Sequence, residues 1–235
     1  MRHLQRAGAA LNYFVTDIVI CQLICYTEIM SEMAAALTRE KILDAAEEVL
    51  RRFGPSKATV IDVARALGVS HGSVYRHFAG KAELRDAVVE IWLSRMNGPL
   101  EAIAAEDAPA AERLHRWLTA LMRMKRQRLF DDPELFAAYC ALTLEARTVV
   151  GEHVEYLTGQ MTEMIRQGAA QGEIEAADPA AAARGVLVAT SPFHNPAYSS
   201  EWTRPDIDTL FDEVWTIILR GLRSSKQQKK AGSDA

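Results

Sequence analysis

From Thr38 onward the chain follows the period of the α-helix. Ile42, Ala45, Ala46, Val49, Leu50 and Phe53 recur at spacings of three and four, one face of a helix that Thr38 caps and Gly54-Pro55 stops. In TVIDVARALGVS, Thr59 and Asp62 stand at capping-box spacing, while Val60, Val63, Ala64 and Leu67 supply a buried stripe. Gly68 then allows the positive-φ turn that ends this second helix. Ser70 caps a short third helix, HGSVYRHF, with Val74 and Phe78 pointing inward, and Gly80 precedes a fourth, KAELRDAVVEIWLSRM. Two short helices joined by a tight glycine-containing turn form the helix-turn-helix pattern.

The same periodicity continues to the C-terminal end. Pro99 and EAIAAEDAPA read as a break. A long helix, AERLHRWLTALMRMKRQRLF, then carries Leu114, Trp117, Leu118, Leu121 and Met122 on one face, and Asp131-Asp132-Pro133 ends it. ELFAAYCALTLEA and VVGEHVEYLTGQMTEMIRQGAAQG predict two more helices, broken near Thr148. Asp178-Pro179 caps AAAARGVLVATSPF, and Asp206 opens IDTLFDEVWTIILRGL. The expected fold is all-α. Its units are an N-terminal extension over 1–37, a helix-turn-helix unit over 38–84, a helical body over 85–225 and a polar, disordered tail over 226–235.

The first residues do not share this pattern. AALNYFVTDIVICQLICY, over 9–26, is apolar, but Asn12, Thr16, Asp17 and Gln22 interrupt it. Asp17 near its centre would cost roughly 2.5–3.5 kcal/mol on insertion into a bilayer. The readings are, in order, a true start at Met30 or Met33 rather than Met1, a dispensable helical extension, and a membrane anchor.

Composition sets broad limits. The 235 residues are 49% hydrophobic and 25% charged, which excludes a disordered acidic tail, a collagen-like repeat and a disulfide scaffold. Cys21, Cys25 and Cys140 show neither CxxC pairing nor metal spacing and read as thiols of a reducing cytoplasm. Neither a metal nor another cofactor is expected. HExxH and a phosphate loop are absent from the sequence, so the chain reads as a non-enzyme.

Charge changes the picture more. The net charge is −4, so any contact with nucleic acid must be local. Between Arg51 and Lys81 six basic residues (Arg51, Arg52, Lys57, Arg65, Arg76, Lys81) face one acid, Asp62. From Pro99 onward acids outnumber bases. A basic segment on an acidic helical body points to a unit that faces a polyanion such as double-stranded DNA. If the third helix enters a major groove, His71, Gly72 and Ser73 meet the base edges, with Tyr75, Arg76 and His77 further along its exposed side. His71 and Ser73 can donate or accept there, and Gly72 lets the backbone come close. Arg76 either pairs with guanine or neutralises phosphate, and Tyr75 either packs its ring inward or reaches a phosphate. Taken singly, each is also an ordinary solvated polar residue; clustered on one face of a basic helix-turn-helix, they favour contact. Lys81 opens a helix whose free N–H groups suit a phosphate.

At these residues the chain resembles the TetR/AcrR family of bacterial regulators. Thr59, Val63-Ala64, Leu67-Gly68-Val69-Ser70, Gly72, Val74-Tyr75, His77-Phe78 and Lys81-x-x-Leu84 carry the resemblance, which covers about residues 38–90. It implies a homodimer, a three-helix DNA-binding domain and a helical body that senses a small molecule. It also implies DNA contacts at Thr59, Ser70, His71, Gly72, Ser73, Tyr75, His77 and Lys81, while Arg76 falls where the family varies. The fourth helix would link the two units, and its displacement by an effector would separate the two reading heads. The last two helices, carrying Val186, Leu187, Leu210, Phe211, Val214, Trp215, Ile218 and Leu219, would pair across a two-fold axis.

Within the body, Trp117, Met122, Phe136, Tyr139, Cys140, Thr143, Tyr156 and Met161, with His153 and Met164, form a mostly apolar set that fits a ligand pocket as well as a core. Phe193 and His194, in the proline-interrupted TSPFHNPAYSSEW, either close that pocket or sit at the dimer seam. The expected effector is hydrophobic or aromatic. The leading reading is therefore a homodimeric transcriptional repressor released from a palindromic operator by such an effector, with an effector-independent DNA-binding protein of the same fold as the alternative.

Overall fold

A computed structural model describes residues 37–222, so the expectations for the N-terminal extension and the tail lie outside the described residues. The elements run α1 Arg39–Phe53, α2 Val60–Ala66, α3 His71–Tyr75, α4 Lys81–Ser94, α5 Asn97–Ala104, α6 Ala110–Asp131, α7 Pro133–Thr143, α8 Arg147–Ala170, α9 Pro179–Ala189 and α10 Ser191–His194, then a 3₁₀ segment Pro196–Thr203 and α11 Ile207–Leu222. Among the described residues there is no strand, and the fold is all-α.

The expected caps account for the first three helices. Thr38 Oγ1 accepts from Lys41 N at 3.3 Å, and Gly54, at φ 71°, returns its N–H to Leu50 O. Thr59 and Asp62 make both halves of a capping box, and Ser70 Oγ accepts from Ser73 N. Gly68 turns the chain at φ 67° between α2 and α3. Val60, Val63, Ala64, Val74 and Phe78 are buried, which fastens α2 and α3 onto the buried stripe of α1.

Two boundaries differ from the sequence reading. The break expected over Pro99 and EAIAAEDAPA falls at 105–109, between α5 and α6, while Pro99 itself sits in the first turn of α5. The N–H groups of a first turn have no intrahelical partner, so a proline removes nothing there. The break expected near Thr148 falls earlier, at 144–146, and α8 already contains Thr148. Pro192 and Pro196 interrupt the helix as expected: each occupies the first turn of a new short helical segment after α9 ends at Ala189, and Asn195 Oδ1 accepts from Ala197 N at 3.0 Å.

α4 passes from the helix-turn-helix into the body, so the expected division at residue 84 falls inside a continuous helix. Two ion pairs hold the units together at their edges. Arg51 at the end of α1 meets Asp132 at the α6–α7 corner at 2.7 Å, and Arg85 on α4 meets Glu145 at 2.9 Å. Between them the Tyr139 hydroxyl donates to Glu47, which also pairs with Arg95 at 2.8 Å.

Candidate nucleic-acid interface and ligand cavity

The α2–α3 turn exposes the residues expected to touch DNA. Thr59, Ser70, His71, Gly72, Tyr75, Arg76 and Lys81 are exposed, and Ser73 and His77 are partly so. The short helix is organised from within. Ser70 Oγ lies 3.0 Å from Ser73 Oγ, and Arg76 donates to Ser73 Oγ at 3.3 Å. The His71 ring stands edge-on to Tyr75, with centroids 6.3 Å apart. A Cβ built on Gly72 would meet only Ser70 Oγ at 3.7 Å, so nothing inside the protein requires glycine there. The room is on the outside.

Charge on this face is smaller than the sequence count suggests. Arg65 is paired with Asp62 at 2.9 Å, and Arg51 is turned away toward Glu48 and Asp132. Arg76 and Lys81 keep no ion pair among the described residues.

One positioning device escaped sequence reading. Arg39 on α1 donates to the His77 carbonyl at 2.6 Å, lies 4.1 Å over the Phe78 ring and reaches Glu83 at 3.4 Å. Glu83 also accepts from Ala79 N at 2.6 Å, and that N–H holds its carboxyl below the usual range. Arg39 thus ties the end of α3 to the start of α4. No spacing rule links residues 38 apart, so only the fold shows it.

In the body, α4, α6, α7, α8, α9, α10 and the segment after it line an open cavity of about 610 Å³. That is within the roughly 300–1,000 Å³ of small-molecule sites. Trp92 and Leu93, Lys125, Cys140, Ala141, Thr143 and Leu144, Val150, His153, Val154 and Leu157, Leu187, and His194 to Ala197 line it. Of the residues singled out in the sequence, Cys140, Thr143, His153 and His194 come together here.

The other candidates are placed elsewhere. Trp117 is fully buried and donates through Nε1 to Gln160 at 2.8 Å. Tyr139 stacks on Trp92 with centroids 4.5 Å apart, and Phe136 packs against Trp92 and Trp202. Met161 and Met164 are core residues, Phe193 packs on Phe211, and the Tyr156 hydroxyl donates to Glu101. Met122 is buried beneath a separate depression along α6 and α11. Sequence reading missed Trp92, Lys125 and the apolar α8 residues, because the walls come from helices far apart in the chain.

Titration in the cavity follows from burial. Withdrawal from water lowers Lys125 to about 8, His153 to about 4 and His194 to about 3, and it pushes the Cys140 thiol up to about 11. At neutral pH the histidines and the thiol are therefore neutral. His194 Nε2 lies 3.2 Å from Leu187 O and 3.3 Å from Thr190 Oγ1, whereas His153 Nε2 is buried with no hydrogen-bond partner. Among the described residues no His, Cys, Asp or Glu cluster has metal-binding geometry, and no helix is long and apolar enough to cross a membrane.

Comparison with known proteins agrees with this arrangement. Residues 42–88 match the family described as bacterial regulatory proteins, tetR family, and residues 110–215 match the tetracyclin repressor-like C-terminal domain. An uncharacterised helix-turn-helix transcriptional regulator of Mycobacterium tuberculosis is 32% identical over 111 residues, 47% of this chain and 53% of that protein. The chain thus spans about half the length of that relative. The regulator SrpR of Pseudomonas putida is 47% identical over 64 residues, 27% of this chain and 28% of its own. SmeT, the repressor of the Stenotrophomonas maltophilia multidrug efflux pump SmeDEF, superposes with a TM-score of 0.62 at 22% identity, covering 82% of this chain and 93% of SmeT. A SmeT–triclosan complex matches as well, with a TM-score of 0.59 at 21% identity over 80% of this chain and 92% of that one. The family is regulatory and DNA-binding rather than enzymatic. With a helix-turn-helix at one end, a cavity in the body and both family domains matched, the chain belongs to the TetR/AcrR family of bacterial transcriptional regulators.

Proposed function

We propose that the protein is a homodimeric repressor that grips a palindromic operator through α3 and releases it when a small apolar molecule enters the cavity. The observation that carries this reading is the course of α4. Lys81 opens the helix beside the DNA-facing turn, and Trp92 and Leu93, near its other end, line the cavity. The eleven residue steps from Lys81 to Trp92 span roughly 16 Å of rigid helix, so a ligand that shifts Trp92 tilts the segment carrying Lys81. Arg128 reports the same coupling from the body, donating to the Trp92 carbonyl at 2.8 Å.

Dimerisation is supported by the last two long helices. Val188 on α9 is 72% exposed and Ile217 on α11 is 71% exposed, large apolar side chains that a lone protomer leaves in water. Phe211 and Trp215, expected at the seam, instead pack on His115 within the protomer. A dimer that sets its two α3 helices roughly 34 Å apart, or somewhat more, reads half-sites about one turn apart or more. The triclosan complex of SmeT belongs to that protein and supports a small-molecule effector here only by analogy of fold.

Salt-titrated binding and footprinting on DNA flanking the protein's own gene test the reading. A two-half-site footprint is expected, and Lys81→Ala should weaken binding to every sequence and lower the salt slope by roughly one. An unchanged slope removes the phosphate role of Lys81. A footprint that no cavity ligand ever releases favours an effector-independent DNA-binding protein of the same fold.

A further inference from the structure

The floor of the cavity holds a charge with no counter-ion. Lys125 on α6 is 7% exposed, and among the described residues it makes no ion pair or hydrogen bond. The groups facing it are Arg128 from its own helix, Cys140 from α7, His153 from α8 and His194 from α10. The thiol is neutral, both histidines are neutral and Arg128 is a cation, so none of these neutralises Lys125. No aspartate or glutamate lines the cavity. A buried ammonium without an anion is among the costliest arrangements a fold can keep, and removing it would be easy, because a methionine fills the same volume.

The cavity is also polarised along its depth. Lys125, Trp92, Leu93 and His194 are buried at the bottom, while Leu144, at 75% exposed, and Val154, at 44%, stand at the mouth. A ligand entering here meets apolar side chains first and the cation last.

Building on the effector reading above, we propose that this cavity binds a carboxylate-bearing amphiphile head first, the carboxylate pairing with Lys125 and the apolar body lying along Leu93, Leu144, Val150, Val154 and Leu157. The pairing supplies the missing counter-ion. It also brings the ligand's head beside Trp92 on α4, the helix that leads to the DNA-facing turn. A neutral apolar molecule would fill the mouth and leave the ammonium unpaired, so charge is the basis of selection.

Two matched pairs of probes test this with the full chain at pH 7: decanoate against decanamide, and naphthalene-1-acetate against naphthalene-1-acetamide. Calorimetric titration is expected to show at least one acid binding ten times or more tightly than its amide. In Lys125→Met, and in the polar control Lys125→Gln, the acid should fall to within threefold of its amide while the amide keeps its affinity. Retained amide binding shows that the cavity is still folded. Acids that bind no better than amides overturn the proposal, as does a preference that survives in both variants, or a failure of all four probes to bind. Release of operator DNA by the same probes is scored separately. If amides release DNA without any acid preference, the effector reading stands and this one fails. If an acid binds through Lys125 and DNA stays bound, the anion site stands and the effector reading fails.

Discussion

Lys125 makes the residue scale measurable without any ligand. Its lowered value, about 8 against an ordinary 10.5, means that the folded state resists the charged form. Below pH 8 the penalty is fully present. Between pH 8 and 10.5 the unfolded chain holds a proton that the folded chain has released, so stability rises with pH across that window. At pH 7 Lys125→Met should therefore be more stable than the native chain by up to about 3 kcal/mol, and the gap should close toward pH 10.5. Urea denaturation at pH 7 and pH 10 checks this; a gap that does not shrink means the lysine is not charged and buried. The histidines work in the opposite range. His153 and His194, held near 4 and 3, stay neutral while the unfolded chain protonates them, so stability falls as pH drops through 6.5 toward 4. Little of this was legible in the sequence: Cys140, Thr143, His153 and His194 could be singled out by chemistry, but Lys125 reads there as one more base on a basic helix face.

At the scale of elements, two of the three glycines of α8 have opposite consequences. A Cβ on Gly168 would lie 2.6 Å from Ala110 Cβ and 2.9 Å from Ile174 Cδ1, where α8 crosses the start of α6. A Cβ on Gly159, exposed on the same helix, would meet nothing within 4 Å. Gly168→Ala should destabilise the protein by about 1–3 kcal/mol through overpacking. Gly159→Ala should stabilise it by about 0.5–1 kcal/mol, since alanine loses less backbone entropy in a helix. Thermal melts of the two variants give shifts of opposite sign if the crossing is as close as described. The elements themselves were well marked where a cap announces them, as at Thr38, Thr59, Ser70 and Asp178. The starts of α5 and α8 were misjudged, the first because proline breaks a helix interior but is harmless in the first turn, where Pro99 sits.

For the whole molecule the decisive question is whether, as proposed, two copies pair and set their α3 helices apart. Val188 and Ile217 are the exposed apolar positions on α9 and α11, so Ile217→Asp should leave each protomer folded and shift the dimer toward monomer. Sedimentation measures that shift, and cooperative operator binding should be lost with it. An undiminished dimer would move the seam to another face. The other molecular-scale feature is the seam between the two units. Arg51 with Asp132, Arg85 with Glu145 and Tyr139 with Glu47 cross it, and Trp92 sits behind them against the cavity.

The sequence by itself determined the local features: helix periods, caps, the Gly68 turn and the exposed polar face of α3. Each of these rests on residues within one or two turns of one another, where backbone geometry leaves few choices. The tertiary structure alone decided which side chains share a space. Arg39 reaches the end of α3 across 38 residues, Arg65 and Arg51 are withdrawn from the basic face by acids, and seven elements place Lys125 in a mostly apolar cavity with no anion among the described residues. Such contacts depend on how helices cross, and the crossing is set by side-chain volume summed over many positions rather than by any short pattern.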